Sequence, residues 1–160
     1  MPIFELEYTL ERKNKGIVLP SRDALRISGP CLAVVIDITK EHKEKLKQQK
    51  KEFPEPITGI ALIDTGASSS GVYEKVCKKL NLKPTSIIKM HHAGGIEERA
   101  CYPIQFFFPH TGIPPRDSLI TASFNLGYDN TPYIFLLGRD ILSYLKFVYN
   151  GIKGRIELAY

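Results

Sequence analysis

One aspartate in this chain is marked out by its surroundings. The apolar run Ile60-Ala61-Leu62-Ile63 ends abruptly in Asp64-Thr65-Gly66-Ala67-Ser68. The run is apolar on both faces and bounded by Gly59 and Gly66, which predicts a buried strand. A carboxylate at the end of such a strand is costly unless it is paired or hydrogen-bonded. Gly66 removes the side chain where a backbone N–H would have to approach that carboxylate, and Thr65 sets a hydroxyl beside it. Two carboxylates brought within a few ångströms cannot both ionise, so they share one proton and can act on a water as one base and one acid. Asp23, Asp37, Asp117, Asp129 and Asp140 do not stand in an Asp-Thr/Ser-Gly context, so one chain offers one such carboxylate. The plainer alternative is a strand-end aspartate that accepts turn N–H groups and does no chemistry.

The elements that must position Asp64 follow in order. Ser69 to Tyr73 can be a short strand and Tyr73 to Leu82 a helix. Lys89 to Arg99 can be a hairpin with Gly94-Gly95 at its tip. Phe135-Leu136-Leu137-Gly138-Arg139-Asp140-Ile141-Leu142 is an apolar strand running into Gly-Arg-Asp. In this order and approximate spacing, from Gly29 to Tyr160, the chain resembles the retropepsin-like family, the retroviral-type, single-domain aspartic proteases, as a cellular or bacterial member.

The resemblance implies a mostly β fold: a closed-barrel acid-protease fold with an active-site loop, a flap hairpin and short helices, one lobe per chain. It implies peptide hydrolysis by water held between two Asp64 carboxylates, one from each subunit of a C₂ homodimer. Thr65 hydroxyls would bond across the dimer to the opposite loop, Gly66 N–H would donate to the carboxylate, and the Ala67 backbone would help position substrate. His91, His92, Ala93, Gly94, Gly95 and Ile96 would form the flap over the peptide, with Gly94-Gly95 letting the backbone bond an extended chain. Gly138, Arg139 and Asp140 are expected as scaffold behind the loop, with Gly138 allowing a close crossing and Asp140 at a helix N-terminus. Ser68 stands where viral enzymes commonly carry an acidic partner for the arginine of that segment. His91-His92 reads either as exposed loop or as cleft-facing residues that make binding pH-dependent. Two histidines without further ligands at metal spacing make a poor metal site, and neither a metal nor a cofactor is expected.

The rest of the chain bounds this reading. At 160 residues it is expected to be one domain, 1–160, burying about 70% of its unfolded surface. Hydrophobic content of 43% and charged content of 24% are ordinary for a globular protein. No apolar run reaches the roughly 18 residues of a membrane span, and MPIFELEYTLERKNK does not read as a secretory signal. Cys31, Cys77 and Cys101 have no CxxC spacing, which argues for free thiols in a reducing, cytoplasmic location. The net charge of +5 is concentrated in Lys40 to Glu52, a charged insertion at about 40–56 that reads as a solvated helix or flexible segment rather than a nucleic-acid surface.

Ile3 to Leu10 alternates as a half-buried strand, Lys13 to Asp23 reads as turn, and Cys31 to Ile38 as a strand. Thr85 to Met90, Ile96 to Phe108 and Leu119 to Leu126 are further strands. Asp140 to Leu145 is a short helix, and a hairpin joins Phe147-Val148-Tyr149 to Arg155–Tyr160. The alternating apolar rows of the two chain ends are expected to cover each other across a dimer axis. The leading function is therefore a homodimeric aspartic endopeptidase acting on peptide or protein substrates, with no nucleic acid and no membrane as partner. The alternative is a catalytically weak or inactive peptide-binding or assembly module of the same fold.

Overall fold

The computed structural model describes residues 3–7, 10–12, 17–92, 95–123 and 133–160. In chain order the elements begin with β1 (Ile3–Glu7), β2 (Leu10–Arg12), β3 (Ile17–Leu19), α1 (Ser21–Ser28), β4 (Cys31–Asp37) and α2 (Lys40–Gln48). There follow β5 (Ile57–Ile63), β6 (Gly71–Tyr73), α3 (Glu74–Lys79), β7 (Ser86–His92), β8 (Gly95–Phe107) and β9 (Arg116–Ser123). The chain closes with β10 (Tyr133–Leu137), α4 (Arg139–Leu142), β11 (Lys146–Asn150) and β12 (Arg155–Ala159).

The mostly β closed barrel expected from the sequence is what forms. Strands β4, β5, β10, β6, β9 and β8 pair in that order, and β8 returns to pair with β4 through Ile36 opposite Phe106, which closes the ring. Closure leaves the barrel no open sheet edge. Strand β7 hangs on β8 as the second arm of the flap hairpin. Leu32, Val34 and Ile36 of β4, Ile104 and Phe106 of β8, and Phe135 and Leu137 of β10 are buried inside. The Phe106 ring lies 5.1 Å from that of Phe135 and 5.7 Å from that of Phe108. Burying each such side chain contributes about 1.5–3 kcal/mol, which is why apolar runs with no polar alternation fold here as interior strands.

One pairing positions the site. Strands β5 and β10 run parallel, with Leu62 opposite Leu136 and Ile63 opposite Leu137. Parallel neighbours leave a sheet at the same end, so Asp64 and Gly138 emerge side by side from residues 74 positions apart in sequence.

Three readings are corrected, and of the two held for the charged insertion the helix is the one that forms. Lys13 to Asp23 is not simply a turn: β3 and the start of α1 occupy its second half. Pro20, extended at φ −54° and ψ 144°, ends the strand, and its carbonyl accepts the N–H groups of Asp23 and Ala24, so the residue that signals a break also starts a helix. The charged insertion is a helix, α2, from Lys40 to Gln48, and it is fastened to the barrel. The Thr39 hydroxyl caps it by accepting the His42 N–H, Lys43 pairs with buried Asp37 at 2.5 Å, and Lys40 N–H donates to Asp117. The last helix spans only Arg139–Leu142 before turns carry the chain to Leu145.

The chain ends, thirdly, cover each other within one chain. Strand β1 lies antiparallel to β12, with Phe4 opposite Leu158 and Leu6 opposite Ile156, and β11 flanks β12 on its other side. Ile156 and Leu158 are buried, and Phe4 and Leu6 pack partly buried against the same core, so these residues are covered within one chain. No helix among the described residues is long and apolar enough to cross a membrane.

Candidate active site

Asp64 is fixed from both sides as it leaves β5. The Ile63 N–H donates to Pro30 O at 2.8 Å, and the Asp64 N–H donates to Leu137 O at 3.0 Å. The chain then turns, with the Ala67 N–H 3.2 Å from Asp64 O. The half-buried Asp64 carboxylate accepts two backbone bonds on the same oxygen: its Oδ1 lies 2.8 Å from the Gly66 nitrogen and 3.2 Å from the Ala67 nitrogen. A Cβ at residue 66 would lie 3.0 Å from that oxygen, a tight contact that would push the carboxylate by a few tenths of an ångström. Thr65 and Gly66 are exposed at the rim of the loop.

Arg139 holds the loop from behind. Its Nη1 donates to Thr65 O at 2.8 Å and Gly66 O at 3.1 Å, and its backbone N–H donates to Ala67 O at 3.0 Å. In a trans peptide the C=O and the next N–H point in opposite directions. Drawing the Thr65 and Gly66 carbonyls toward the guanidinium therefore turns the Gly66 and Ala67 N–H groups the other way, toward Asp64 Oδ1. One arginine orients both donors to the carboxylate, and it does so without an acidic residue at position 68.

Gly138 and Asp140 complete the support. A Cβ at residue 138 would sit 2.6 Å from Ser69 C and 2.8 Å from Ser70 N, so only glycine lets the two segments cross this closely. The Gly138 N–H donates to Ser70 Oγ at 2.9 Å. Asp140 accepts the Ser70 hydroxyl at 2.6 Å and the Ser70 N–H at 3.0 Å. Its carboxylate also accepts the Ile141 N–H, so it ties the first turn of α4 to the segment after the loop. Gly138, not Asp140, is the cap residue of that helix.

Beside the loop lies a pocket of about 270 Å³, walled by Ala67, Ser70 and Leu136 on one side and by Met90, Glu97 and Arg99 of the flap hairpin on the other. Glu97 and Arg99 form an ion pair at 2.5 Å. Of the expected flap residues, Gly95 has φ +123° with open space around it, and Ile96 is 65% exposed and does not line the pocket. His91 and His92 pair through their backbones with Ile96 and Gly95. Their side chains, like Ala93 and Gly94, lie outside the described residues. Sequence reasoning missed Ser70, Met90, Glu97 and Arg99. A signal for the last two existed: counting back by twos along β8 from buried Cys101 places residues 99 and 97 on the same face.

Among the described residues no group of three or more His, Cys, Asp or Glu side chains could hold a metal ion. Cys77 and Cys101 are buried and stand outside any disulfide. Burial, and then the nearby Glu74 carboxylate, push the Cys77 thiol up to about 12, which makes it inert as a nucleophile.

No protein-family model and no curated protein matches the sequence. Solved structures do. The chain is similar to the simian foamy virus (mac) protease at 16% identity and a TM-score of 0.44, over 72% of this chain and 93% of that one. It is similar to the EIAV protease, solved with an inhibitor, at 18% identity and a TM-score of 0.45, over 72% and 86%. It is also similar to a retropepsin-like aspartic protease from Rickettsia conorii at 15% identity and a TM-score of 0.45, over 99% and 94%.

Proposed function

We propose that this chain is an aspartic endopeptidase that works as a homodimer, one Asp64 from each copy. The observation that carries the reading is the state of Asp64. Its carboxylate stands at the mouth of a closed barrel, held by two N–H groups on Oδ1 and bordered by a pocket that a peptide side chain can enter. Two such carboxylates meeting on a two-fold axis share one proton. The ionised partner takes a proton from a water as its oxygen attacks the peptide carbonyl. The protonated partner gives its proton to the carbonyl oxygen, forming a neutral diol. Collapse of the diol breaks the C–N bond, and a proton passes to the leaving amine.

The other residues take supporting roles in this reading. Gly66 and Ala67 fix the carboxylate, and exposed Thr65 bonds across to the opposite loop. Arg139 orients the two peptide planes, and the flap from Lys89 to Arg99 covers the substrate. The unbridged Cys77 and Cys101 thiols fit a reducing, cytoplasmic location.

The test is cleavage of a mixed peptide pool by the purified chain and by its Asp64→Asn variant. The wild type should cleave and the variant, equally folded, should not. A folded variant with near wild-type turnover would sink the assignment.

A further inference from the structure

A second cavity, of about 210 Å³, shares no residue with the one beside the Asp64 loop. Its floor is apolar: Phe106 of β8, Phe108 and Ile113 of the segment that follows, and Ile141 of α4, all buried. The wall between Phe108 and Ile113 is held in shape. The Thr111 hydroxyl donates to Phe108 O at 2.7 Å and accepts the Ile113 N–H at 3.1 Å, and the Tyr160 hydroxyl donates to Gly112 O at 2.5 Å. Tyr144, Tyr160 and Arg116 also line the cavity but are exposed, so they form its mouth. Arg116 opens β9 directly opposite Phe106, which puts the two side chains on one sheet face. Its guanidinium lies over the Tyr144 ring, 4.8 Å from the centroid. It is the one charged side chain in the lining, and among the described residues it has no hydrogen-bonded or ion-paired partner.

We infer that this cavity binds a small aromatic monocarboxylate, with its ring among Phe106, Phe108 and Ile141 and its carboxylate on Arg116. An apolar cavity of about 150 Å³ takes up benzene, so 210 Å³ admits one ring with a short arm. Phenylalanine and tyrosine rings favour an aromatic guest through edge-to-face contact. The arginine fork matches a carboxylate with two parallel bonds, and its seat on Tyr144 orients it while leaving its N–H donors to a ligand. A cationic guest would meet Arg116 with no acid in the lining to answer it. A neutral guest would take water from the guanidinium and return a weaker bond. The occupant is a free acid rather than a peptide. Beyond Arg116 the lining side chains offer two tyrosine hydroxyls, one of them already bonded to Gly112, and nothing else that could hold a peptide backbone.

The experiment titrates hydrocinnamate, a phenyl ring on a short carboxylate arm, into the full chain labelled at its isoleucine and methionine methyls for NMR. Ile113 and Ile141 should shift saturably, and Met90, in the other cavity, should not. Hydrocinnamide, the same shape without the charge, should bind about tenfold more weakly, and phenylpropylamine more weakly still. Arg116→Gln changes an exposed side chain and should bring the acid down to the affinity of the amide; Arg116→Lys, a cation without the fork, should recover part of the difference. The comparison of acid with amide uses the wild type alone, so it decides the matter even where a variant does not fold. Asp64→Asn should bind the acid as the wild type does, which keeps this site separate from the protease reading. No saturable shift at Ile113 and Ile141 up to about 10 mM, equal affinity for acid and amide, or a shift centred on Met90 would overturn the inference. So would tighter binding of a tripeptide that ends in phenylalanine, which would make a peptide the occupant. An Arg116→Gln chain that falls from dimer to monomer without ligand would overturn it too, because a second copy would then fill the mouth.

Discussion

Replacing Gly138 by alanine tests whether the close crossing behind the Asp64 loop supports the site as described. The added Cβ would sit 2.6 Å from Ser69 C, 2.7 Å from Ser69 O and 2.8 Å from Ser70 N. These are backbone atoms, so no side-chain rotation relieves the clash and one segment must move. Gly138 has φ −88°, a conformation open to alanine, so steric contact is the whole cause. Overpacking of this kind costs about 1–3 kcal/mol. Separating the segments also loosens the bond from Gly138 N–H to Ser70 Oγ, worth about 1 kcal/mol. The sum is about 3 kcal/mol, or a fall in melting temperature of about 6–12 °C for a chain of this size. Far-UV circular dichroism against temperature and urea reads it directly. Because Arg139 is the next residue and holds the loop carbonyls, turnover should fall further than the loss of folded protein explains. A Gly138→Ala variant within about 0.5 kcal/mol of wild type would refute the crossing as drawn.

Arg139→Met should lower kcat about tenfold while changing KM little, since it frees two peptide planes behind the carboxylate and touches no substrate; Arg139→Lys, a point donor without the planar fork, should recover only part. Steady-state kinetics on one peptide decides it, and an unchanged kcat would contradict the orienting role. Asp37→Asn should destabilise the chain by about 2 kcal/mol, because Asp37 is buried against Lys43, itself a third exposed, and adding Lys43→Met should recover part of the loss. Urea midpoints of the two variants measure this. Cys77, its thiol pushed up to about 12 by burial and then by Glu74, carries almost no thiolate at pH 8. It should resist iodoacetamide in the native state and react on unfolding, as mass spectrometry of the labelled peptides would show.

How much of this was legible in the sequence depends on the range of the interaction. The strand ending at Asp64, the flap arms and the terminal hairpin are local: alternation, apolar runs and glycine punctuation mark them, and the barrel strands formed where those patterns lie. Helix α1 was hidden because its buried pair, Ala24-Leu25, is too short to show a period and Pro20 reads as a break. The bonds that hold the site are long-range. Arg139 to Thr65, Ser70 to Asp140 and Gly138 to Ser70 join residues 68 to 74 positions apart, and no local pattern specifies them. Glu97 and Arg99 were passed over for another reason. Charges in a hairpin read as solvated, and only alternation followed back from buried Cys101 puts them on its face. The terminal strands were recognised as mates, but alternation does not say whether a strand pairs within its own chain or with a second copy.

The central claim is that catalysis needs one Asp64 from each of two chains, and subunit mixing tests it most directly. Wild type and Asp64→Asn are mixed in equal amounts in denaturant, refolded together, and assayed at the same total protein as wild type alone. Random pairing leaves about one quarter of the dimers with both aspartates, so activity should fall to about a quarter and follow the square of the wild-type fraction across other ratios. Activity that falls only to about a half, in direct proportion to the wild-type fraction, would mean that each chain works alone, and the shared-proton account would be wrong.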